Sequence, residues 1–125
     1  MSLHEYLQAF REAIDRIDRY GYADSISFHQ ELRAGKQALL KVTVILVDGS
    51  SLHIKEYIDA MYGIKVVSYG YQYQDINGSL HFRYDNARHK PELQFIEHKH
   101  LPGNNIIEAP PPDISELVDE VISFL

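Results

Sequence analysis

The sequence predicts an α+β domain: one antiparallel sheet of about five to six strands, with an N-terminal and a C-terminal helix. Three observations predict it. Apolar residues recur at helical spacing at both ends, the apolar period changes to two between about residues 24 and 100, and glycine-containing turn signals separate the alternating stretches. At 125 residues the chain reads as a single domain spanning 1–125, long enough for one core and too short for two.

From Leu3 to Tyr20 the residues Leu3, Tyr6, Leu7, Phe10, Ile14 and Ile17 mark one helical face, with Ser2 placed to cap it and Gly21 to end it. From about Asp24 the period is two: Ile26 and Phe28 alternate with serines and His29, and the strand ends near Ala34-Gly35. A second strand, Ala38 to Val47, is rich in β-branched residues and meets Asp48-Gly49-Ser50, a hairpin signal, before a third from Ser51 to Ile58. A fourth, Ile64 to Gln74, reaches Asn77-Gly78, the strongest short-range hairpin dipeptide, and a fifth returns from Ser79 to Asp85. A loop is expected from Asn86 to Pro91, a short strand from Leu93 to His100, a turn-rich break from Leu101 to Asn105 and a stiff spacer at Pro110-Pro111-Pro112. Asp113 then caps a final helix whose apolar stripe is Ile114, Leu117, Val118, Val121 and Ile122, with Glu116 completing a capping box.

Composition removes several classes of function. With no cysteine, disulfides, thiolate nucleophiles and cysteine-ligated zinc are excluded. No apolar run approaches the roughly 18 to 20 residues of a membrane span, and the N-terminus lacks the pattern of a signal peptide, so no membrane association and a cytoplasmic location are expected. No G-x-S-x-G elbow, P-loop or dinucleotide-binding glycine motif occurs, which removes serine hydrolases, nucleotide hydrolases and dehydrogenases. The net charge of −6 argues against a general nucleic-acid coat protein. The charge is uneven, however. Residues 81–100 hold four Lys/Arg, three Asp/Glu and four of the seven histidines, leaving eight basic and fifteen acidic residues elsewhere. An acidic body with a neutral-to-basic site can focus an anionic substrate there.

If Asn77-Gly78 forms a two-residue turn, cross-strand partners add to 155. Tyr73 then faces Phe82 and Tyr71 faces Tyr84 on one sheet face; Gln74 faces His81, Gln72 faces Arg83 and Gly70 faces Asp85 on the other. The tyrosine row Tyr69, Tyr71 and Tyr73 reads first as core, while Gly70 favours a close approach across the sheet. His98 and His100, two apart, point the same way on a strand, and Lys99 points to the opposite face. Such a set of imidazoles, guanidinium and ammonium suits metal-independent cleavage of single-stranded RNA. One group deprotonates the 2′-hydroxyl, another protonates the leaving 5′-oxygen, and cations stabilise the charged phosphorane. His81, His89, His98 and His100 are the candidate acids and bases, Arg83 and Lys99 the phosphate ligands, and tyrosines such as Tyr69 and Tyr71 the platforms on which bases would stack. No cofactor and no metal are expected on this reading. The alternatives are a non-catalytic protein- or RNA-binding module and a metal-dependent hydrolase using His89, His98 and His100.

The residues Tyr69, Tyr71 and Gln74, then Phe82, Arg83, Tyr84, Asp85, Asn86, Ala87 and His89, and finally Phe95, His98, Lys99 and His100 resemble the pattern of the TumE family, toxins of bacterial and archaeal toxin–antitoxin pairs. The chain departs from that pattern at Gln72, at Arg88-His89-Lys90-Pro91 and at Ile96-Glu97, where the family often carries further histidines and prolines. The resemblance implies a toxin neutralised by a small cognate antitoxin protein. It selects Arg83, Asp85, Asn86, His89, His98, Lys99 and His100 as catalytic candidates and leaves Tyr69, Tyr71, Gln72, Gln74 and His81 as substrate-binding ones. The oligomeric state is open, with a homodimer among the alternatives.

Overall fold

Among the described residues, seven strands follow one another in space in the order in which they occur in the sequence. A computed structural model describes residues 1–88 and 95–125. It runs α1 (Leu3–Arg19), β1 (Ala23–Arg33), β2 (Gln37–Leu46), β3 (Ser51–Asp59), β4 (Lys65–Gln74), β5 (Leu80–Asp85), β6 (His98–Leu101), β7 (Asn105–Glu108) and α2 (Ile114–Ile122). The strands pair antiparallel in the order β1-β2-β3-β4-β5-β6-β7, an uninterrupted meander. This is the α+β architecture expected, with one strand more than the upper estimate. The added strand, β7, holds only two apolar residues and returns from β6 through Pro102–Asn104, where Gly103 and Asn104 take positive φ. The first two residues of the strand expected from Leu93 lie outside the described residues.

Both helices begin with the reciprocal capping box their sequences suggest. Ser2 accepts from the Glu5 amide and Asp113 from the Glu116 amide, while each glutamate reaches back to its cap. Phe10, Ile14 and Ile17 of α1 and Leu117, Val118 and Val121 of α2 join one core with Leu40, Val42 and Leu52 of the central strands and Tyr71, Tyr73, Phe82 and Tyr84 beyond them. Burying each large apolar side chain contributes about 1.5–3 kcal/mol. The side chains that alternate with these point to the second sheet face, and among the described residues no helix covers it.

The β2–β3 and β4–β5 hairpins share one loop design. In Leu46-Val47-Asp48-Gly49-Ser50 the Gly49 amide bonds the Leu46 carbonyl and the Leu46 amide bonds the Ser50 carbonyl; Asp75-Ile76-Asn77-Gly78-Ser79 repeats both bonds. Gly49 and Gly78 sit at φ 83°. These are three-residue loops with glycine in the left-handed position, not two-residue turns. The Asp75 carboxylate fixes the choice by accepting from the amides of Asn77 and Ser79.

The expected register is corrected in consequence. Gln74 pairs with Leu80, not His81, and a bulge follows before Tyr73 pairs with Phe82, Gln72 with Arg83 and Gly70 with Asp85. Loop and bulge offset one another, so the pairs deeper in the hairpin stand as expected. His81 is the extra residue of the bulge. It turns onto the Tyr73 ring (4.9 Å between centroids) and Phe124 (4.5 Å), on the helix side. No described helix is long and apolar enough to cross a membrane.

Candidate active site on the open sheet face

Strand pairing lines up two rows across the uncovered face. One runs His29, Lys41, Lys55, Gly70, Asp85, His98 and Glu108; its neighbour runs Ser27, Thr43, His53, Gln72, Arg83, His100 and Ile106. Asp85 is the hub. It is 4% exposed and accepts from four directions: Arg83 Nε at 2.7 Å, His98 Nε2 at 2.7 Å, the Ala87 amide at 3.1 Å, and His100 Nε2 within ion-pair range at 3.5 Å. A buried carboxylate is tolerated only with such company, and each charge-assisted bond contributes roughly 1.5–3 kcal/mol.

The two neighbouring histidines differ in access. His98 is 2% exposed, and its Nδ1 meets the Ile96 carbonyl at 2.7 Å. With Nδ1 on the Ile96 carbonyl and Nε2 on the Asp85 carboxylate, both ring nitrogens are engaged, which fixes the ring's orientation. The His100 side chain keeps a quarter of its surface and that of Arg83 38%. Those are the groups a ligand can reach. Gln72 accepts from Arg83 Nη1 at 3.0 Å and donates to Gln74 at 2.7 Å, so the polar row holds the guanidinium from the side. Gly70 makes the arrangement feasible, because a Cβ there would stand 2.9 Å from Arg83 Nη2. The close approach expected at Gly70 comes from inside the molecule.

Arg83 forms one wall of a groove of about 500 Å³ that continues over β4, β3 and β2. Its lining includes Lys41, His53, Lys55, Gly70, Arg83 and Asn86, and among the described residues none that lines it is acidic, in a chain of net charge −6. His53, Lys41 and Lys55 are absent from the sequence-based candidates. Their signal is the strand alternation itself, which puts every second residue of Lys41-Val42-Thr43 and His53-Ile54-Lys55 on the Arg83 face, but only once β3 is known to pair with β4.

The other described candidates have partners within the fold. Lys99 lies beneath α2, 2.7 Å from Glu120 and 4.7 Å above the Tyr84 ring. Burial opposes its charge, yet hydrogen bonds to Glu120 and Tyr84 outweigh burial and hold the ammonium above its ordinary range. Asn86 accepts from the Tyr69 amide at 3.1 Å and donates to the Val67 carbonyl at 3.0 Å, extending the sheet ladder with a side chain. Tyr69 and Tyr71 are buried on the helix side, their hydroxyls bonded to Glu97 and Glu56, and Tyr69 also belongs to the lining of the groove. His81 is turned away as described. His89 lies outside the described residues.

Asp85, His98 and His100 each offer a ligand atom, all within 4.8 Å of one another, the spacing of a three-ligand metal centre with an open position. The donor set fits a metal poorly. The Arg83 guanidinium already holds Asp85 Oδ2 and would place a fixed positive charge beside the cation.

A family model described as Toxin TumE matches residues 10–125 of the chain. No curated protein and no solved structure matches it.

Proposed function

Because the chain belongs to the TumE toxin family and is the toxin component of a toxin–antitoxin pair, we propose that its open sheet face is a metal-independent endoribonuclease site for single-stranded RNA. The observation that carries this reading is Arg83, with His100 as its cross-strand neighbour, on the wall of a groove that also holds His53 and two lysines and, among the described residues, no acid. Arg83 is placed to take the non-bridging oxygens of one phosphodiester and to stabilise the charge that grows on them. His100 is its cross-strand neighbour, while His53 lies three strand spacings or about 14 Å away at the backbone, farther along the groove. His100 removes the proton from the 2′-hydroxyl as that oxygen attacks phosphorus, and the departing 5′-oxygen takes a proton from solvent. The products are a 2′,3′-cyclic phosphate and a free 5′-hydroxyl. Asp85 and His98 touch no substrate in this scheme and orient Arg83 and His100.

The test is incubation of the purified protein with several single-stranded transcripts in EDTA, reading the product ends. Cyclic phosphate ends that vanish with His100→Ala support the reading; intact RNA in every transcript, from protein that remains toxic in cells, overturns it. The spacing of Asp85, His98 and His100 favours a second reading, a metal-dependent hydrolase, for which EDTA would abolish cleavage and a divalent ion restore it.

A further inference from the structure

Lys41 and Lys55 face one another directly across β2 and β3, both exposed. Like charges in that position are destabilising, and neither lysine forms an ion pair with a carboxylate among the described residues. Both line the same groove as Arg83, and among the described residues no acidic one lines it. The midpoint of the lysine pair lies three strand spacings, about 14 Å, from the midpoint of Arg83 and His100. That is too far for one phosphate to occupy both positions at once.

We infer that Lys41 and Lys55 form a second phosphate subsite, which holds the RNA backbone several nucleotides from the bond at Arg83. The inference rests on the reading of the open face as an RNA site and adds a substrate class to it: an extended single-stranded polynucleotide, not a mononucleotide or dinucleotide. The strand pairing supplies the geometry, and the groove that both lysines share with Arg83 is the path between the two positions. The lysines touch no reacting atom; they are positioning residues.

Binding separates this inference from catalysis. Fluorescence anisotropy with 2′-O-methyl oligonucleotides of two to twelve nucleotides, which lack the attacking hydroxyl, reads affinity in EDTA without cleavage. Affinity is expected to rise at least tenfold between two nucleotides and about eight. In Lys41→Ala/Lys55→Ala that gain disappears, and the slope of log affinity against log salt falls by about 1.4, near 0.7 for each phosphate contact. Arg19→Ala/Lys36→Ala removes the same charge away from the groove and should keep both. Equal length dependence and equal slope in the lysine variant and the wild type overturn the subsite. So does wild-type protein that binds no oligonucleotide but binds an acidic peptide through the same lysines. Lysine-dependent binding without any cleavage of unmodified RNA leaves the subsite standing and overturns the nuclease reading alone, whereas cleavage with lysine-independent binding does the reverse.

Discussion

A guanidinium held by a buried carboxylate is worth more to a reaction than a mobile one, because its orientation cost is met when the protein folds. Asp85 and Gln72 grip Arg83 from two sides, and Gly70 leaves the space in which it lies. Arg83→Ala should therefore lower single-turnover cleavage by roughly 100- to 1,000-fold, the usual scale for one oriented donor at a developing charge. His98 and the Ala87 amide still satisfy Asp85, so circular dichroism should show a folded protein. Loss of the folded signal would make Arg83 structural instead. Gly70→Ala is the sharper companion: it leaves Arg83 in the sequence, but the guanidinium must move, so cleavage should fall while the melting temperature changes little. Lys99 belongs to stability. Lys99→Met strands part of Glu120 and should cost about 1–3 kcal/mol in urea unfolding. At this scale the sequence exposed the cluster around Arg83, Asp85, His98 and His100 through the local density of polar side chains. It did not expose His53, Lys41 or Lys55, since residues roughly thirty to forty positions from Arg83 in sequence join the site only through strand pairing.

The hairpin joining β4 to β5 shows how an element can be read correctly for an incomplete reason. Asn77-Gly78 marks a turn, and the pairs that matter to the site, Gln72 with Arg83 and Gly70 with Asp85, are those a two-residue turn would give. They arise instead from a three-residue loop followed by a bulge, a compensation that pattern alone does not reveal, because the Asp75 side chain selects the loop and the Tyr73 and Phe124 rings hold the extra His81. Deleting His81 should then remove the bulge and join Leu80 directly to Phe82 without moving Arg83 or Asp85 to the other face. The expected cost is the lost ring stacking, about 0.5–1.5 kcal/mol, with RNA cleavage retained. A deletion variant that folds but no longer cleaves would show that His81 itself takes part. The strands and both capped helices were legible because long alternating or amphipathic runs carry their own signal; β7 was not, since four residues with two apolar side chains carry almost none.

Across the whole molecule the two sheet faces differ in cover, one open over the polar rows and the other packed under the helices, and the helix-covered face hides a carboxylate of its own. Glu56, 2% exposed, accepts from the hydroxyls of Tyr6 on α1 and Tyr71 on β4, each at 2.5 Å. It thereby ties the first helix to the middle of the sheet. Burial raises its pKa above the ordinary 4.5, and the two tyrosine bonds offset that only in part. Burial, followed by the Glu56 charge, drives both phenols well above their normal range, so they remain donors. The sign follows from proton linkage. Below pH 4.5 the carboxyl is protonated folded and unfolded; between 4.5 and its folded value only the folded chain keeps the proton, so this group's contribution to stability falls as pH rises, by at most about 1.4 kcal/mol per pH unit. Above the folded value the loss is complete and constant. Glu56→Gln has no such titration, and its amide can accept from one phenol while donating to the other. The stability of Glu56→Gln relative to wild type should therefore climb from about pH 4.5 upward and then level off, measured by urea unfolding at half-unit steps. A difference that stays flat across pH 4 to 8 would mean that Glu56 is no harder to ionise in the folded chain than in the unfolded one.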